Sequence, residues 1–474
     1  MLFTSLEFLF FFFPVTLAGN FLLPQRMRNY WLLLCSLFFY AWGEPLFVLC
    51  MLGSIALNYA CALCVERVPL RRKKAVLALA LAANIGMLFV CKYLGFVTAT
   101  LHQLIPGTKN LFEATHLRLP IGISFFTFQA MSYVIDVYRG VPAQKNPAYL
   151  GLYISLFPQL IAGPIVRYTT VMDQIRSRTV APQAFYEGCI RFLRGFNKKM
   201  LLANVLAQAA DLAFSMEYLS AGMAWLGALC YTLQIFFDFS GYSEMAIGMG
   251  RMLGFEFLEN FNYPYISKTV TEFWRRWHIS LGTWFRDYVY FPLGGSRVRS
   301  KRRLVFNLAV VWLVTGVWHG ASWNFILWGV LFGVVIITEK LLQIPRRIEE
   351  AGAGVRACGW FVTMLLVIFG WVLFRAENLP AAWTYMRSML GMGGSALFDA
   401  QTMFYLREYA LTMLAGVLCS APLLLAAQEK LEKRSASAAA ALRTAEHVME
   451  FVLFWVSVSA LVMDAYNPFI YFNF

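Results

Sequence analysis

Charged residues are scarce in this chain. They make up 14% of its 474 residues, whereas a soluble domain usually carries about 25%. Hydrophobic residues reach 59%, and several apolar runs approach the roughly 20 residues that a membrane-spanning helix needs. This composition excludes an ordinary soluble enzyme and indicates a polytopic membrane protein. The main apolar runs are 2–23, 75–90, 223–237, 325–338, 361–374 and 448–463.

The chain also lacks the period-two alternation of apolar and polar residues that the strands of a membrane barrel require. Backbone polar groups in hydrocarbon must bond to one another, which leaves helices as the solution. We therefore expect an all-α, polytopic integral membrane protein with about twelve spans. Re-entrant and interfacial helices are expected around a central tunnel. Residues 1–474 are predicted to form a single membrane-embedded domain.

The first apolar run lacks the marks of a cleaved secretion signal. No basic segment precedes it, it contains Glu7, and it ends at Pro24 without a small-residue cleavage site. We interpret it as the first span.

The chain carries a net charge of +14, but its basic residues cluster in short loops, as the positive-inside rule predicts for cytoplasmic loops. The clusters are 26–28, 71–74, 198–199, 297–303 and 346–347.

These clusters place both termini outside the cytoplasm in a multi-pass membrane protein. Nucleic acid is not an expected partner, because topology explains the basic residues and they form no stripe with aromatic residues. The segment 149–167 contains FPQLIAGP at 157–164, whose two prolines and glycine predict a broken or re-entrant helix. The region 240–303 is rich in charge and is predicted to lie as interfacial helices on the cytoplasmic side.

Several catalytic motifs are missing. The chain has no phosphate-binding Walker loop, no dinucleotide-binding glycine pattern and no His-Glu-x-x-His helix. No metal site is predicted.

The chain has only five histidines, and two of them, His278 and His319, lie in its most polar and aromatic stretch. An ionisable group at membrane depth is a functional candidate by default.

His319 falls where one apolar segment ends and the next begins. It lies 16 residues beyond Arg303, which at about 1.5 Å per helical residue is some 24 Å into a core about 30 Å thick. His278 belongs to the predicted cytoplasmic layer, so a site that contains both would connect the two faces. A neutral imidazole is well suited to take a proton from a hydroxyl near pH 7. The alternative is that each histidine packs and donates one structural hydrogen bond.

The block around these histidines supplies the other candidate site residues. Some have structural alternatives: the arginines could pair with Glu272 or Asp287, and the tryptophans could be interfacial anchors. These candidate residues are Gln234, Asp238, Ser240, Trp274, Arg275, Arg276, Trp284 and Asn324.

Five long motifs carry a family resemblance across essentially the whole chain. They resemble the membrane-bound O-acyltransferase family, and most of all its bacterial branch, which acts in alginate and peptidoglycan O-acetylation. The motifs are LPIGISFFTFQ at 119–129, FPQLIAGP at 157–164, YTLQIFFDFSGYS at 231–243, FWRRWHISL at 273–281 and WHGASWN at 318–324.

The resemblance implies that His319 is the catalytic histidine and that His278 occupies a second polar position of the site. It places the catalytic core at about 119–342 and the protein in a bacterial cytoplasmic (inner) membrane. It gives the other candidate residues named above the role of binding the donor or lining the tunnel. It also implies an acyl group taken from a cytoplasmic thioester, with acetyl-CoA as the expected donor. The group would pass to an extracytoplasmic polysaccharide or peptidoglycan, with an SGNH-type acyltransferase outside the cytoplasm as the expected partner.

The chain ends in the aromatic sequence NPFIYFNF at 467–474. In the resembling bacterial systems a similar hexapeptide is thought to carry the acyl group on its tyrosine, which here is Tyr471. A phenol has a pKa near 10, so a tyrosyl ester keeps much of the transfer potential of a thioester. The alternative is an aromatic anchor at the membrane interface.

Two other functions stay open. Within the same family, the chain could resemble the D-alanine transfer protein of teichoic acid modification, although that system usually places the C-terminal peptide on a separate small protein. In a different class, it could be a transporter or flippase. Against that class, the two halves lack a matching pair of Gly/Pro-broken helices.

Overall fold

The computed structural model describes residues 1–105, 119–392, 396–463, 466–468 and 470. These residues are predominantly helical and contain no strand, which confirms the all-α class. The chain folds into two compact units: unit 1 contains Met1–Cys189 and Ala246–Leu258, and unit 2 contains Ile190–Met245 and Glu259–Phe474. The predicted core at 119–342 draws on both units. Its boundaries and the single-domain assignment stay predictions.

Unit 1 is built on apolar helices joined by a few buried polar contacts. Asn58 and Asn84 donate to each other's side-chain oxygens at 3.0 and 2.9 Å, a form of helix pairing suited to a lipid environment. The helices are α1 (Phe13–Leu22), α2 (Gln25–Gly43), α3 (Phe47–Arg67), α4 (Leu70–Leu88), α5 (Leu94–Leu104), α6 (Ile123–Tyr138), α7 (Pro147–Ser155), α8 (Phe157–Leu160) and α9 (Tyr168–Arg176).

The segment 149–167 is broken, as its prolines predicted. Helix α7 ends at Ser155 and the four-residue α8 begins at Phe157. Pro158 lies in the first turn of α8, where its missing N–H costs no helical hydrogen bond. Helix α8 is fully buried within unit 1.

Unit 2 carries the remaining helices, two of which begin or end in unit 1. Helix α10 continues through a π-helical turn at Lys198–Ala203 into α11. The helices are α10 (Pro182–Asn197), α11 (Asn204–Ser215), α12 (Ala221–Met252), α13 (Val270–Arg276), α14 (Ile279–Phe285), α15 (Lys301–His319), α16 (Trp323–Leu341), α17 (Ile344–Glu350), α18 (Ala353–Arg375), α19 (Leu379–Met389), α20 (Ala400–Cys419), α21 (Leu423–Glu432) and α22 (Ala436–Met463).

The length of α12 corrects one expectation. The charged region was predicted to begin at 240 as interfacial helix, but α12 runs unbroken for 32 residues to Met252. Its charges are accommodated by pairing, because Glu244 accepts a hydrogen bond from Lys198 at 2.7 Å. Beyond α12, residues 253–300 hold only short helices. Their position at a cytoplasmic interface stays a prediction.

Six helical segments among the described residues are long and apolar enough to cross a membrane, or seven if the bent pair α20 and α21 forms one span. This supports a polytopic membrane protein, with fewer clear spans than the twelve expected. The first apolar run, for example, is helical only over Phe8–Leu22. The six segments are Phe47–Arg67, Leu70–Leu104, Ala221–Met252, Trp323–Leu341, Ala353–Arg375 and Ala436–Met463.

Candidate active site

A close crossing of α15 and α16 positions His319. A Cβ atom on Gly316 would meet the carbonyl oxygen of Phe325 at 2.6 Å, and one on Gly329 would meet that of Trp312 at 2.6 Å. Only glycine permits such an approach, which is a common device between membrane helices. The crossing lies just before His319, the last residue of α15.

His319 is enclosed by aromatic rings from the neighbouring helices. Its ring centroid lies 4.9 Å from that of Trp328 and 5.3 Å from that of Phe374, both near the edge-on geometry. The residue is 7% exposed. Such walls keep bulk water away, so a proton can move only between positioned groups.

His278 is held by a single amide oxygen. Its Nδ1 lies 3.1 Å from Oδ1 of Asn260, and that atom also accepts from the backbone N–H of Ser280 at 3.2 Å and from its hydroxyl at 2.8 Å. A backbone N–H can only donate, which identifies the shared atom as the amide oxygen. Nδ1 of His278 therefore carries the proton and Nε2 carries the lone pair.

That lone pair is buried and available. Nε2 of His278 is shielded from solvent and has no hydrogen-bond partner among the described residues. Burial lowers the pKa of His278 from 6.5 to about 3, so its imidazole is neutral at physiological pH. The backbone is also unusual, with φ of +47°, a left-handed conformation that bulky residues adopt at a cost and that often occurs at functional sites.

One indole links the two histidines. The ring centroid of Trp318 lies 6.1 Å from that of His278 and 5.0 Å from that of His319. On its other side His278 meets the ring of Phe239, on α12, at 4.6 Å. The structure thus brings both histidines into one buried region of unit 2, although they are 41 residues apart in sequence.

The predicted polar residues of α12 face the interior. Gln234, Asp238 and Ser240 are each no more than 3% exposed. Oε1 of Gln234 and Oγ of Ser240 have no hydrogen-bond partner within the described ranges. Buried polar atoms normally have partners, so each of these two atoms is a candidate contact for a polar group of a substrate.

Trp274 and the two arginines fall in different surroundings. Trp274 packs edge-on against Trp328, at 5.2 Å between ring centroids, and so joins the aromatic cluster around His319. Arg276 bonds to Glu272 at 3.0 Å and to the carbonyl oxygen of Asn262 at 3.1 Å, which gives it the structural role weighed as an alternative. Arg275 is exposed.

Trp284 and Asn324 are buried and take part in local packing. The ring of Trp284 lies 5.1 Å from that of Tyr288 in the following turn. The side-chain amide of Asn324 donates to the carbonyl oxygen of Ala376 at 2.6 Å and ties the start of α16 to the end of α18. A role of either residue in binding the donor stays a prediction.

The described part of the C-terminal segment docks on buried polar groups. Tyr466 donates to Asp211, and Asn467 accepts from the side-chain amide of Asn204 at 3.1 Å. Further on, the carbonyl oxygen of Pro468 accepts from Lys199, and the backbone N–H of Ile470 donates to Oδ2 of Asp238 at 2.9 Å. Tyr471 lies outside the described residues.

Lys199 was not recognised as a site residue from the sequence. It was assigned with Lys198 to a basic loop, but it lies inside a continuous helix and pairs with Asp238 at 2.6 Å, with both side chains at most 3% exposed. The helices meet closely at Gly195 and Gly241, where a Cβ on either would lie within 2.7 Å of the other's carbonyl oxygen. Charge counting alone could not separate a buried lysine from a loop lysine.

Asn260 was also missed as a functional residue. The sequence offered one signal, the motif NFNYPY at 260–265 between aromatic segments. The 18-residue separation from His278 hid their contact.

Among the described residues, no three His, Cys, Asp or Glu side chains are grouped so that they could hold a metal ion.

The fold and this buried pair of histidines define a helical membrane protein with an enclosed polar site. The model of the membrane-bound O-acyltransferase family matches residues 144–374. A Pseudomonas aeruginosa protein named probable alginate O-acetylase AlgI is 45% identical over 83% of this chain and 75% of its own length. A Pseudomonas putida protein of the same name is 39% identical over the full length of both.

The Helicobacter pylori peptidoglycan O-acetyltransferase is 36% identical, over 84% of this chain and 81% of its own length. The chain therefore belongs to the membrane-bound O-acyltransferase family, and it is an O-acyltransferase.

Replacing Asn260 with aspartate should make activity sensitive to acid. A carboxylate beside Nδ1 favours the imidazolium and should raise the pKa of His278 by about 1–3, from about 3. Below the new pKa the lone pair on Nε2 is lost. We expect an acid limb between about pH 4 and pH 6 in the acyl-transfer profile of the variant, and no such limb from His278 in the wild type.

The matched control is Asn262→Asp, which adds the same charge at an exposed position two residues away and should leave the profile unchanged. The pH dependence of thermal unfolding should also show the direction in which the pKa of His278 is shifted. Since the pKa of His278 is depressed in the folded protein, the stability linked to its neutral form is present above about pH 6.5 and declines as the pH falls toward 3. Identical activity profiles for Asn260→Asp and wild type would contradict the assignment.

Proposed function

We propose that this protein is an O-acetyltransferase that takes an acetyl group from cytoplasmic acetyl-CoA. The group passes through the membrane for O-acetylation of an extracytoplasmic polysaccharide or peptidoglycan. The observation that carries the proposal is the enclosed pair of His278 and His319, joined by one indole. The names of the relatives, alginate O-acetylase and peptidoglycan O-acetyltransferase, support the acyl group and the class of acceptor.

His319 acts as the general base of the first transfer. It takes the proton of the attacking hydroxyl while the hydroxyl oxygen forms a bond to the thioester carbonyl carbon. The C–S bond then breaks, and the proton passes to the departing thiolate, so that an ester and free coenzyme A result. His278 remains neutral and offers its Nε2 lone pair to an N–H or O–H group of a substrate.

Tyr471 is the attacking hydroxyl in this scheme. Its covalent neighbour Ile470 bonds to Asp238 on α12, and the next residue of that helix, Phe239, contacts the ring of His278. These contacts tie Ile470 to the helix that contacts His278, which supports its neighbour Tyr471 as the acceptor of the acyl group. In the second transfer a hydroxyl of the external acceptor attacks the tyrosyl ester and releases the phenol, which is a better leaving group than a sugar alcohol.

The second transfer is assigned to an SGNH-type acyltransferase outside the cytoplasm. The phosphates of the donor are assigned to the cytoplasmic side, where the basic loops are expected. This arrangement places both termini outside, in the inner membrane of a bacterium. The histidines would lie along a tunnel between the two faces.

The sidedness of the donor can be tested in membrane vesicles. Radiolabelled acetyl-CoA does not cross a bilayer, so inverted vesicles expose the cytoplasmic face to it and right-side-out vesicles do not. We expect ester-linked label on the protein or its acceptor only in the inverted vesicles, and none with His319→Ala. Equal labelling in both orientations would contradict the sidedness. Labelling only from a D-alanyl carrier protein would reassign the acyl group.

A further inference from the structure

Four arginines surround one small cavity in unit 1. The cavity has a volume of about 240 Å³ and is formed by the first turn of α2 and by the chain that ends α9. Arg26 and Arg28 come from α2, and Arg176 and Arg178 come from the second segment. None of the four takes part in the acyl-transfer site, which lies in unit 2.

Two of these arginines are fixed in place by groups that carry no charge. Nε of Arg28 donates to the carbonyl oxygen of Leu23 at 3.1 Å. Nε of Arg178 donates to the carbonyl oxygen of Leu253 at 2.9 Å, and its Nη1 to Oδ1 of Asn29 at 2.5 Å. The guanidinium groups are thus oriented without being neutralised.

The positive charge of the cavity is poorly balanced. Among the described residues, only one ion pair involves these arginines, between Arg176 and Asp173 at 3.9 Å, with both side chains mostly exposed. Burial, and then the nearby charge of Arg28, lower the pKa of Arg178 to about 10. Like charges held together in this way favour a bound anion.

We infer that this cavity binds a phosphate group. Arginine forks match the oxygens of phosphate in geometry as well as in charge, and the cavity adjoins the N-terminus of the 19-residue α2, whose dipole also favours an anion. The cavity is smaller than the roughly 300–1,000 Å³ of pockets that enclose drug-sized ligands. It therefore suits a phospholipid head group or free phosphate better than a whole nucleotide cofactor.

The topology of the basic loops supports the lipid as the source. Residues 26–28 form one of the clusters expected at the cytoplasmic face, where anionic phospholipids attract arginine by about 1 kcal/mol per residue. The positive-inside rule explains why arginines occur there. It does not explain why four of them converge on one cavity with two of them held by uncharged groups.

The test compares two double variants of the full-length protein. Arg26→Gln/Arg176→Gln removes the two exposed arginines of the cavity and leaves the hydrogen-bonded Arg28 and Arg178 in place. Arg71→Gln/Arg72→Gln removes the same charge from the exposed start of α4. Binding of phosphatidylglycerol is measured by native mass spectrometry of detergent-purified protein, and thermal unfolding is measured with and without inorganic phosphate.

We expect phosphatidylglycerol to bind the wild type and Arg71→Gln/Arg72→Gln equally, and to bind Arg26→Gln/Arg176→Gln about thirtyfold more weakly. The other supporting result is that inorganic phosphate stabilises the wild type and Arg71→Gln/Arg72→Gln but not Arg26→Gln/Arg176→Gln, while all three proteins bind the lipid equally. In that case the cavity binds phosphate, and its source is free phosphate. If neither probe distinguishes the two double variants, the inference is wrong. Acyl transfer is not used as a readout, so failure of the proposed function would not affect this result.

Discussion

His319→Ala is expected to fold, and its rate of acyl transfer is expected to fall by about a hundredfold to ten-thousandfold. This is the range over which a positioned general base accelerates a reaction. The reason is the enclosure of His319 by Trp328 and Phe374. No bulk water reaches such a pocket to take the proton in its place. The loss should appear in the transfer rate measured at saturating donor.

Packing has to be separated from chemistry in this experiment. His319→Gln keeps most of the volume between the aromatic rings and should be as inactive as His319→Ala. The matched control is His447→Ala on α22, which removes a histidine of the same unit and should retain near wild-type transfer. Expression level and thermal unfolding in detergent report folding. Substantial activity in a well-folded His319→Gln variant would remove His319 from the proposed role.

Tyr471→Phe is expected to abolish transfer to the external acceptor while donor binding persists. The substitution removes one hydroxyl and keeps the aromatic ring, so it tests the relay and leaves an anchoring role intact. In the wild type, incubated with donor and without acceptor, mass spectrometry of the C-terminal peptide should show an added acetyl group on Tyr471.

Tyr466→Phe provides the comparison within the same segment. Its hydroxyl donates to Asp211, which also pairs with Arg375, so its loss weakens docking without removing the proposed nucleophile. We expect a partial loss of transfer and an acetyl adduct that still forms on Tyr471. Full acceptor acetylation by Tyr471→Phe would leave the C-terminal segment as an anchor or a partner-docking tail.

Features that depend on local sequence were predictable. The end of a helix at His319 followed from the position of this residue between two apolar segments. The break in 149–167 followed from its prolines, because a ring without an N–H cannot continue a helix. The all-α class followed from composition, since lipid leaves few other ways to satisfy the backbone.

Features that depend on distant pairing were not predictable. Helix α12 continues through Glu244 because Lys198 neutralises it, and Lys199 is buried because Asp238 lies opposite. Each charge taken alone indicates a loop or an interface. Asn260 sets the tautomer of His278 through one shared oxygen, a relation that spacing in sequence does not reveal.

The estimate of twelve spans was limited in the same way, because it also rested on local sequence alone. Hydropathy finds apolar runs, but several of the expected spans are shorter, more polar or broken in the structure. Helix α15 begins with three basic residues and is not among the six apolar segments, although it carries His319. The helix that ends at the proposed catalytic histidine is thus one that hydropathy does not identify as a span.

The central claim is that this protein itself accepts an acyl group at a site that depends on His319. The most direct measurement uses purified protein in proteoliposomes with radiolabelled acetyl-CoA, followed by hydroxylamine treatment, which releases esters. We predict protein-bound, hydroxylamine-labile label in the wild type and none above background in His319→Gln. Equal labelling of the two proteins, or no label on folded wild-type protein, would contradict the account.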